Sequence, residues 1–433
     1  MNRRLSPIFT LVVVLSLLFS CSKDDPRPTT GKLRGQVGDA LTASALKDVK
    51  VIVFNADDNA PTEHSLITDT NGNFEINLPP GNYFLKFYKQ GYQAVPSPGM
   101  DAVPFSIEVG GTNDQSTQML PSENMNTGFI SGVVGTPAGV GGALVVAEDL
   151  ANNRAFSSVS SHDGRYTIYN VPVGSYKVKA YLKGYSSNGV DASATLNGET
   201  TNVTIALSAS ASGQLSGTIR NLATGNKDVD ISLVHPLTRE TIPGLSTQSS
   251  NLAYTIANIP DGSYIARATF KNDERVMDPD RIAKFGEPVV TFNGNNWLQL
   301  TFDITGSITI GSPTNEATTT KPIDASSTTP TFSWTAYSST SDYVIEVTDA
   351  STGAVVWGGF DRSGSLPVKN IVIPSSQRSI QFNADGSAAI TSLIPGRVYR
   401  WRVFASKNDQ GSATGWVLIS ASEDQRGLFK VAE

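Results

Sequence analysis

Four short stretches of this 433-residue sequence say nearly the same thing. "NLPPGNYFLKFYKQGY" stands at 77–92, "NVPVGSYKVKAYLKGY" at 170–185 and "NIPDGSYIARATFKND" at 258–273, with a looser echo, "LIPGRVYRWRVFASKND", at 393–409. A phrase recurring at domain-sized intervals limits the chain to a row of similar units. Within the phrase, Pro and Gly favour a tight reversal, and the strand that follows alternates. In the second copy Tyr176, Val178, Ala180 and Leu182 point one way, and Lys177, Lys179, Tyr181 and Lys183 the other. The first copy sets Tyr83, Leu85 and Phe87 against Phe84, Lys86 and Tyr88, and the third sets Tyr264, Ala266 and Ala268 against Ile265, Arg267 and Thr269. One set is apolar every time, so the phrase specifies register and core.

The surrounding text repeats as well. "GKLRGQV" at 31, "GFISGVV" at 128 and "GQLSGTI" at 213 open three units, and the apolar runs "VKVIVF", "GALVVAED" and "VDISLV" follow them. Nearly every segment is short, rich in Val, Ile, Tyr and Phe, and bounded by Gly, Asn, Asp or Pro. That is the pattern of short antiparallel strands in a β-sandwich. No stretch after the N-terminus holds a helical period over three turns. The expectation is an all-β chain, a tandem array of four immunoglobulin- or transthyretin-like sandwiches after a signal peptide. Each unit is large enough to own its core, so independent beads are expected rather than a solenoid. The units run over 31–121, 128–208, 213–305 and 306–433, after a leader at 1–20 and a tether at 21–30.

The order G-x-(Leu/Ile)-x-G-x-(Val/Ile), V-x-V, T-D-x-x-G-x-(Phe/Tyr), Pro-x-G-x-Tyr, G-Tyr resembles the carboxypeptidase regulatory-like domain, over roughly 31–305 in three copies. The resemblance implies a transthyretin-like sandwich of the carbohydrate-binding-like group. The third copy lacks the Asp-Gly turn and the final Gly-Tyr. The last unit resembles a fibronectin type III domain. That likeness implies Trp334 on its second strand, Tyr343, Ile345 and Val347 on its third, and Tyr399, Trp401 and Val403 after the Leu393–Gly396 corner, with Tyr399 as a tyrosine corner. An insertion over 361–387 leaves its middle strands open.

The N-terminus, "MNRRLSPIFTLVVVLSLLFSCSKDD", joins two arginines to an apolar stretch too short to span a bilayer comfortably. Its end, "LFSC", resembles the bacterial lipoprotein lipobox. The resemblance implies acylation of Cys21, the single cysteine of the chain, and multi-chain anchoring in a membrane. The following "SKDD" resembles the export signal of surface lipoproteins of the Bacteroidota. The expected location is therefore an outer membrane, lipid-anchored and facing outward. A formal charge of −6, from 33 basic and 39 acidic residues without any Lys/Arg run, argues against nucleic acid.

Candidate chemistry is sparse. His64, His162 and His235 are scattered, and no metalloprotease, nucleophile-elbow or P-loop motif occurs. "DTNGN" at 69–73 and "HDG" at 162–164 read as hairpin turns rather than calcium loops, so no metal or other cofactor is expected. Sugar recognition needs aromatic faces flanked by polar groups. The candidates are Tyr88 and Tyr181, which are equivalent, Tyr92 and Tyr185, likewise equivalent, and Trp297 and Trp357 beside turns. The plainer reading is that these rings cap sandwiches or pack between neighbours. The functional expectation is a non-enzymatic binding or adhesion module, with a glycan or an envelope protein as partner. A structural scaffold and an uncharacterised hydrolase are the alternatives.

Overall fold

The computed structural model describes residues 29–57, 59–96, 102, 104–122, 126–135, 142–210, 213–225, 228–269, 274–315, 322–350, 353–424 and 426–432. The leader, Cys21 and most of the tether lie outside these residues.

The chain is all-β, built as tandem sandwiches. In the first unit Gly31–Asp39 pairs with Asn73–Leu78 in one sheet, and Lys50–Asn55 lies between Pro61–Ile67 and Gly81–Tyr88 in the other. The second and third units repeat both sheets, and the third adds Arg275–Met277 beside Phe302–Gly306. One expectation changes. The closing strands of each unit run parallel to its opening strand, as Thr117–Met119 does beside Val37–Asp39, Ile205–Ala206 beside Val134–Gly135 and Phe302–Ile304 beside Ile219–Asn221. Alternation reveals which way a side chain faces, not which strand lies alongside.

The opening motif explains this close parallel seam. A Cβ on Gly132 would sit 2.0 Å from the Val203 carbonyl, and one on Gly217 1.8 Å from that of Leu300. Only glycine allows the closing strand to come so near.

The recurring tyrosine makes the same bond in all three units. Tyr83, Tyr176 and Tyr264 turn inward and donate their hydroxyls to the carbonyls of Pro79, Pro172 and Pro260, at 3.1, 2.7 and 3.0 Å. The bond ties the strand to the turn that starts it. In the fourth unit the sense is reversed, because the hydroxyl of buried Tyr399 accepts from the Ile394 amide at 3.1 Å. The fourth unit also differs in build, with one broad sheet centred on Asp342–Asp349 and Val398–Asn408 and a two-stranded partner, Thr331–Ser333 with Ser379–Gln381. Its insertion carries three short strands, Val368–Lys369, Ile373–Pro374 and Ser379–Gln381.

The expectation of independent beads is overturned. Ile52, Phe54, Phe84 and Tyr88 of the first unit, Leu144, Val146 and Val159 of the second, and the core of the third form one continuous apolar cluster. Phe54 and Phe84 stack at 4.9 Å within it. The cause lies in the apolar runs. Val51 and Val53 face the first unit's own core while Ile52 and Phe54 face the shared one. Strands apolar on both faces must be covered on both. Polar contacts cross the same boundaries: Lys86 pairs with Glu240, and Asn59 donates to Ser246 at 2.7 Å.

Neighbouring copies of the phrase also interlock. Gly91, near the end of the first copy, donates its amide to the Asn170 side chain at 2.8 Å, and Asn170 donates to the Tyr92 carbonyl at 2.6 Å. Asn170 opens the second copy. Gly184, near the end of that copy, donates to the carbonyl of Asn258, which opens the third, at 2.7 Å. The third copy has no Gly-Tyr ending.

The third and fourth units join differently. A seven-residue helix, Pro279–Phe285, leaves the third and packs on Trp416–Ala421. Asp278 caps it and Pro279 occupies its first turn, a start signal present in "DPDRIAKF". Lys284 Nζ reaches the Trp416 carbonyl at 3.0 Å, and Leu418 donates its amide to Asp280 at 2.8 Å.

Candidate functional site

The second and third units leave a cleft of about 420 Å³ between them. Glu148 reaches it from the end of Leu144–Asp149, and Lys179 and Tyr181 from the outward face of Gly174–Tyr181. His235 enters from the third unit, directly after Asp230–Val234. Cross-strand register sets Tyr181 opposite Leu144 and Lys179 opposite Val146, which carries both polar tips toward Glu148.

Glu148 is 5 % exposed and receives three donors. Lys179 Nζ lies at 2.8 Å, His235 Nε2 at 3.4 Å, and the Tyr181 hydroxyl closes the set. His235 Nδ1 accepts from the Leu237 and Thr238 amides at 3.3 and 3.2 Å. Its Nε2–H is therefore the edge that faces Glu148. Burial alone would raise the Glu148 pKa. Hydrogen bonds from His235, Lys179 and Tyr181 outweigh it and hold the carboxyl down at about 2. Burial, and then the Glu148 charge, push the Tyr181 phenol up. The Tyr181 and His235 rings meet edge to face at 4.9 Å.

A carboxylate held near 2 and occupied by three donors is poorly matched to proton transfer near neutral pH. The cleft is lined by aromatic surface from Tyr181 and Tyr185, by the hydroxyls of Ser187 and Ser263, which bond Ala180 and Thr291, and by the Asp261 carboxylate, which accepts the Gly294 amide. That mixture suits a polar ligand with an apolar face.

Of the six aromatics singled out in the sequence, Tyr181 and Tyr185 come together here. Tyr88 does not face solvent. It is 5 % exposed, bonded to the Val159 backbone and close to Glu240, because the face it occupies is covered by the other two units. Trp357 is 2 % exposed, donates to Asp385 at 2.8 Å and packs on Phe332 and Phe382. Both rings are closed to a soluble ligand, which corrects their candidacy. Tyr92 bonds Asp39 at 2.8 Å, and Trp297 stands 76 % exposed on a short strand, apart from the cleft. In the "DTNGN" turn, Asp69 Oδ1 accepts the Asn71 and Asn73 amides at 2.9 and 2.8 Å, the bonding of a turn. Glu148, Lys179 and His235 went unrecognised as a group. The one local signal is a carboxylate ending the apolar run "GALVVAED" on a strand buried throughout.

Residues 32–119 and 129–208 match the carboxypeptidase regulatory-like domain family. No curated protein matches the chain. Among solved structures, the Bacillus anthracis TIE protein aligns at 14 % identity and a TM-score of 0.18, over 64 % of this chain and 51 % of its own. The chain thus spans about half the length of that protein. The minor pilin GBS52 of Streptococcus agalactiae aligns at 13 % identity and a TM-score of 0.21, over 43 % of this chain and 99 % of its own. The major pilin subunit BcpA of Bacillus cereus aligns at 12 % identity and a TM-score of 0.19, over 64 % of this chain and 100 % of its own. Superpositions this loose carry no argument about what this chain does.

Proposed function

We propose that this chain is a non-enzymatic binding module of a bacterial outer surface, lipid-anchored through Cys21, that holds a glycan in the cleft between its second and third units. The observation that carries the reading is the convergence of Tyr181, Tyr185, Lys179 and His235 on one cleft, on a body whose three sandwiches share a core. Rings stack on the apolar face of a sugar while fixed polar groups meet its hydroxyls. A pre-formed cleft loses little ordering entropy on binding.

Glycan arrays probed with the detergent-solubilised full chain test this. Retention of a saccharide that falls about tenfold or more in Tyr185→Ala supports the reading, since an aromatic contact of about 1.5 kcal/mol carries that factor. No retention of any glycan, or identical retention by the variant, removes it. For the anchor, Cys21→Ser is expected to release the chain from membranes, and continued sedimentation with membranes would count against lipidation.

The exposed Trp297 and Phe285, 76 % and 80 % accessible, favour a second reading in which the third unit docks an envelope protein. Stoichiometric capture of one such protein, lost in Trp297→Ala, would support it.

A further inference from the structure

A second cleft, of about 350 Å³, opens between the third and fourth units, and its chemistry is unlike that of the first. Its floor is the outward face of the broad sheet of the fourth unit. There Glu346 sits opposite Arg402, and Thr348 opposite Arg400. From the third unit come Arg267 on Gly262–Thr269, Arg275 on the next strand and Arg239 in a turn, while Arg362 closes the rim from the fourth. Six guanidiniums thus line one cleft in a chain whose net charge is −6.

Three of the four carboxylates in the same cleft, Glu287, Asp424 and Glu423, are engaged in contacts within the chain. Glu287 is shared by Arg267, at 2.6 Å, and Arg239. Asp424 pairs with Arg402 at 2.6 Å. Glu423 accepts the Glu274 amide at 2.8 Å. Burial, and the nearby Glu274 and Asp424 charges, raise the Glu423 pKa. The Nε atom of Arg402 is buried and meets no hydrogen-bond partner among the described residues. Burial, and then the charge of Arg267, lower the Arg239 pKa. Burying the Arg402 Nε without a partner is costly unless a ligand atom meets it.

We propose that this cleft binds an oxyanion, the carboxylate, sulfate or phosphate group of a small soluble ligand. The guanidinium fork takes two oxygens of such a group at once. The volume falls at the small end of ligand sites, roughly 300–1,000 Å³, and suits a molecule no larger than a monosaccharide acid. The site is separate from the cleft beside Tyr181, so a failure here leaves the glycan reading untouched, and the reverse holds as well.

The test titrates the detergent-solubilised full chain with phosphate, sulfate and galacturonate in a calorimeter, each balanced with chloride to constant ionic strength. Saturable heat is expected from at least one probe. The probe that responds identifies the source chemistry: galacturonate alone marks a sugar carboxylate, and phosphate with sulfate marks a tetrahedral oxyanion. Arg402→Gln is expected to weaken binding by about 10-fold or more, the worth of one charged hydrogen bond. A second arm needs no variant. Phenylglyoxal labelling read by mass spectrometry is expected to slow at Arg239 and Arg402 when the probe is bound, and to stay unchanged at the exposed Arg34 and Arg165. No saturable heat from any of the three probes overturns the proposal. So does heat that comes without protection of Arg239 or Arg402.

Discussion

The junction among the first three units and the junction between the third and fourth solve one problem with different materials. The first buries aromatic and aliphatic side chains in a common core and latches backbone to Asn170 and Asn258. The second uses a short capped helix, a lysine reaching the Trp416 carbonyl and an arginine-rich cleft, with only Val276 and Ala283 of the third unit, among the described residues, entering the fourth unit's core. Apolar contact is non-directional and scales with area, so it welds. Polar contact is directional and yields only a small net gain per bond, so it positions. The first three sandwiches thus form one body, and the fourth is a fitted attachment.

Substitutions put that contrast to the test. The largest effect is expected from Phe54→Ala, which empties the centre of the shared cluster and costs about 3–5 kcal/mol. Calorimetry should show the transition of the three-unit body broaden or split while that of the fourth unit stays in place. A uniform shift of both would erase the distinction. Next comes acid. The Glu148 carboxyl is depressed on folding, from an ordinary 4.5 to about 2, so it stabilises the native state above 4.5. That stability should drain away between pH 4.5 and about 2, seen as a falling melting temperature of the three-unit body. Glu148→Gln should flatten this pH dependence, and an unchanged acid profile would remove Glu148 from the account.

Asn170→Ala removes the side-chain bonds to Gly91 and Tyr92 and loses a residue suited to a φ of +56°. About 1–3 kcal/mol is expected in urea unfolding. Asn258 latches through its carbonyl, so Asn258→Ala should cost less, near 1 kcal/mol for its φ of +60° alone. Equal losses would mean that the two latches work alike. The smallest effect belongs to Lys284→Ala, about 1 kcal/mol or less. It should show as faster proteolysis between the third and fourth units without a shift in the main transition.

Much of this was legible in advance. The number of sandwiches, their period-two faces and the inward turn of Tyr83, Tyr176, Tyr264 and Tyr399 were all readable, because each depends on residues within a few positions of one another. The shared core was only half readable. A run such as "KVIVF" says that both faces are covered, and it cannot say whether by the same unit or by another. Tyr88 alternates onto the outward face, yet outward from its own sandwich is inward to the assembly. The cleft was readable in Tyr181 and Tyr185 and not in Glu148 and His235, which meet across 87 positions of chain. Parallel seams and arginine clefts are likewise products of distant strands, with no local spacing to betray them.

The shared core also sets a schedule. A ribosome delivers the chain from its N-terminus, so a nascent product ending near residue 208 carries the apolar outward faces of two sandwiches and none of the third. Ile52, Phe54 and Phe84 lack most of their shared cluster until the strands around Ile231, Leu233 and Leu245 arrive to complete it. During that interval the half-made chain is sticky and slow to settle. Its need for a holding chaperone should end abruptly once the third unit has closed.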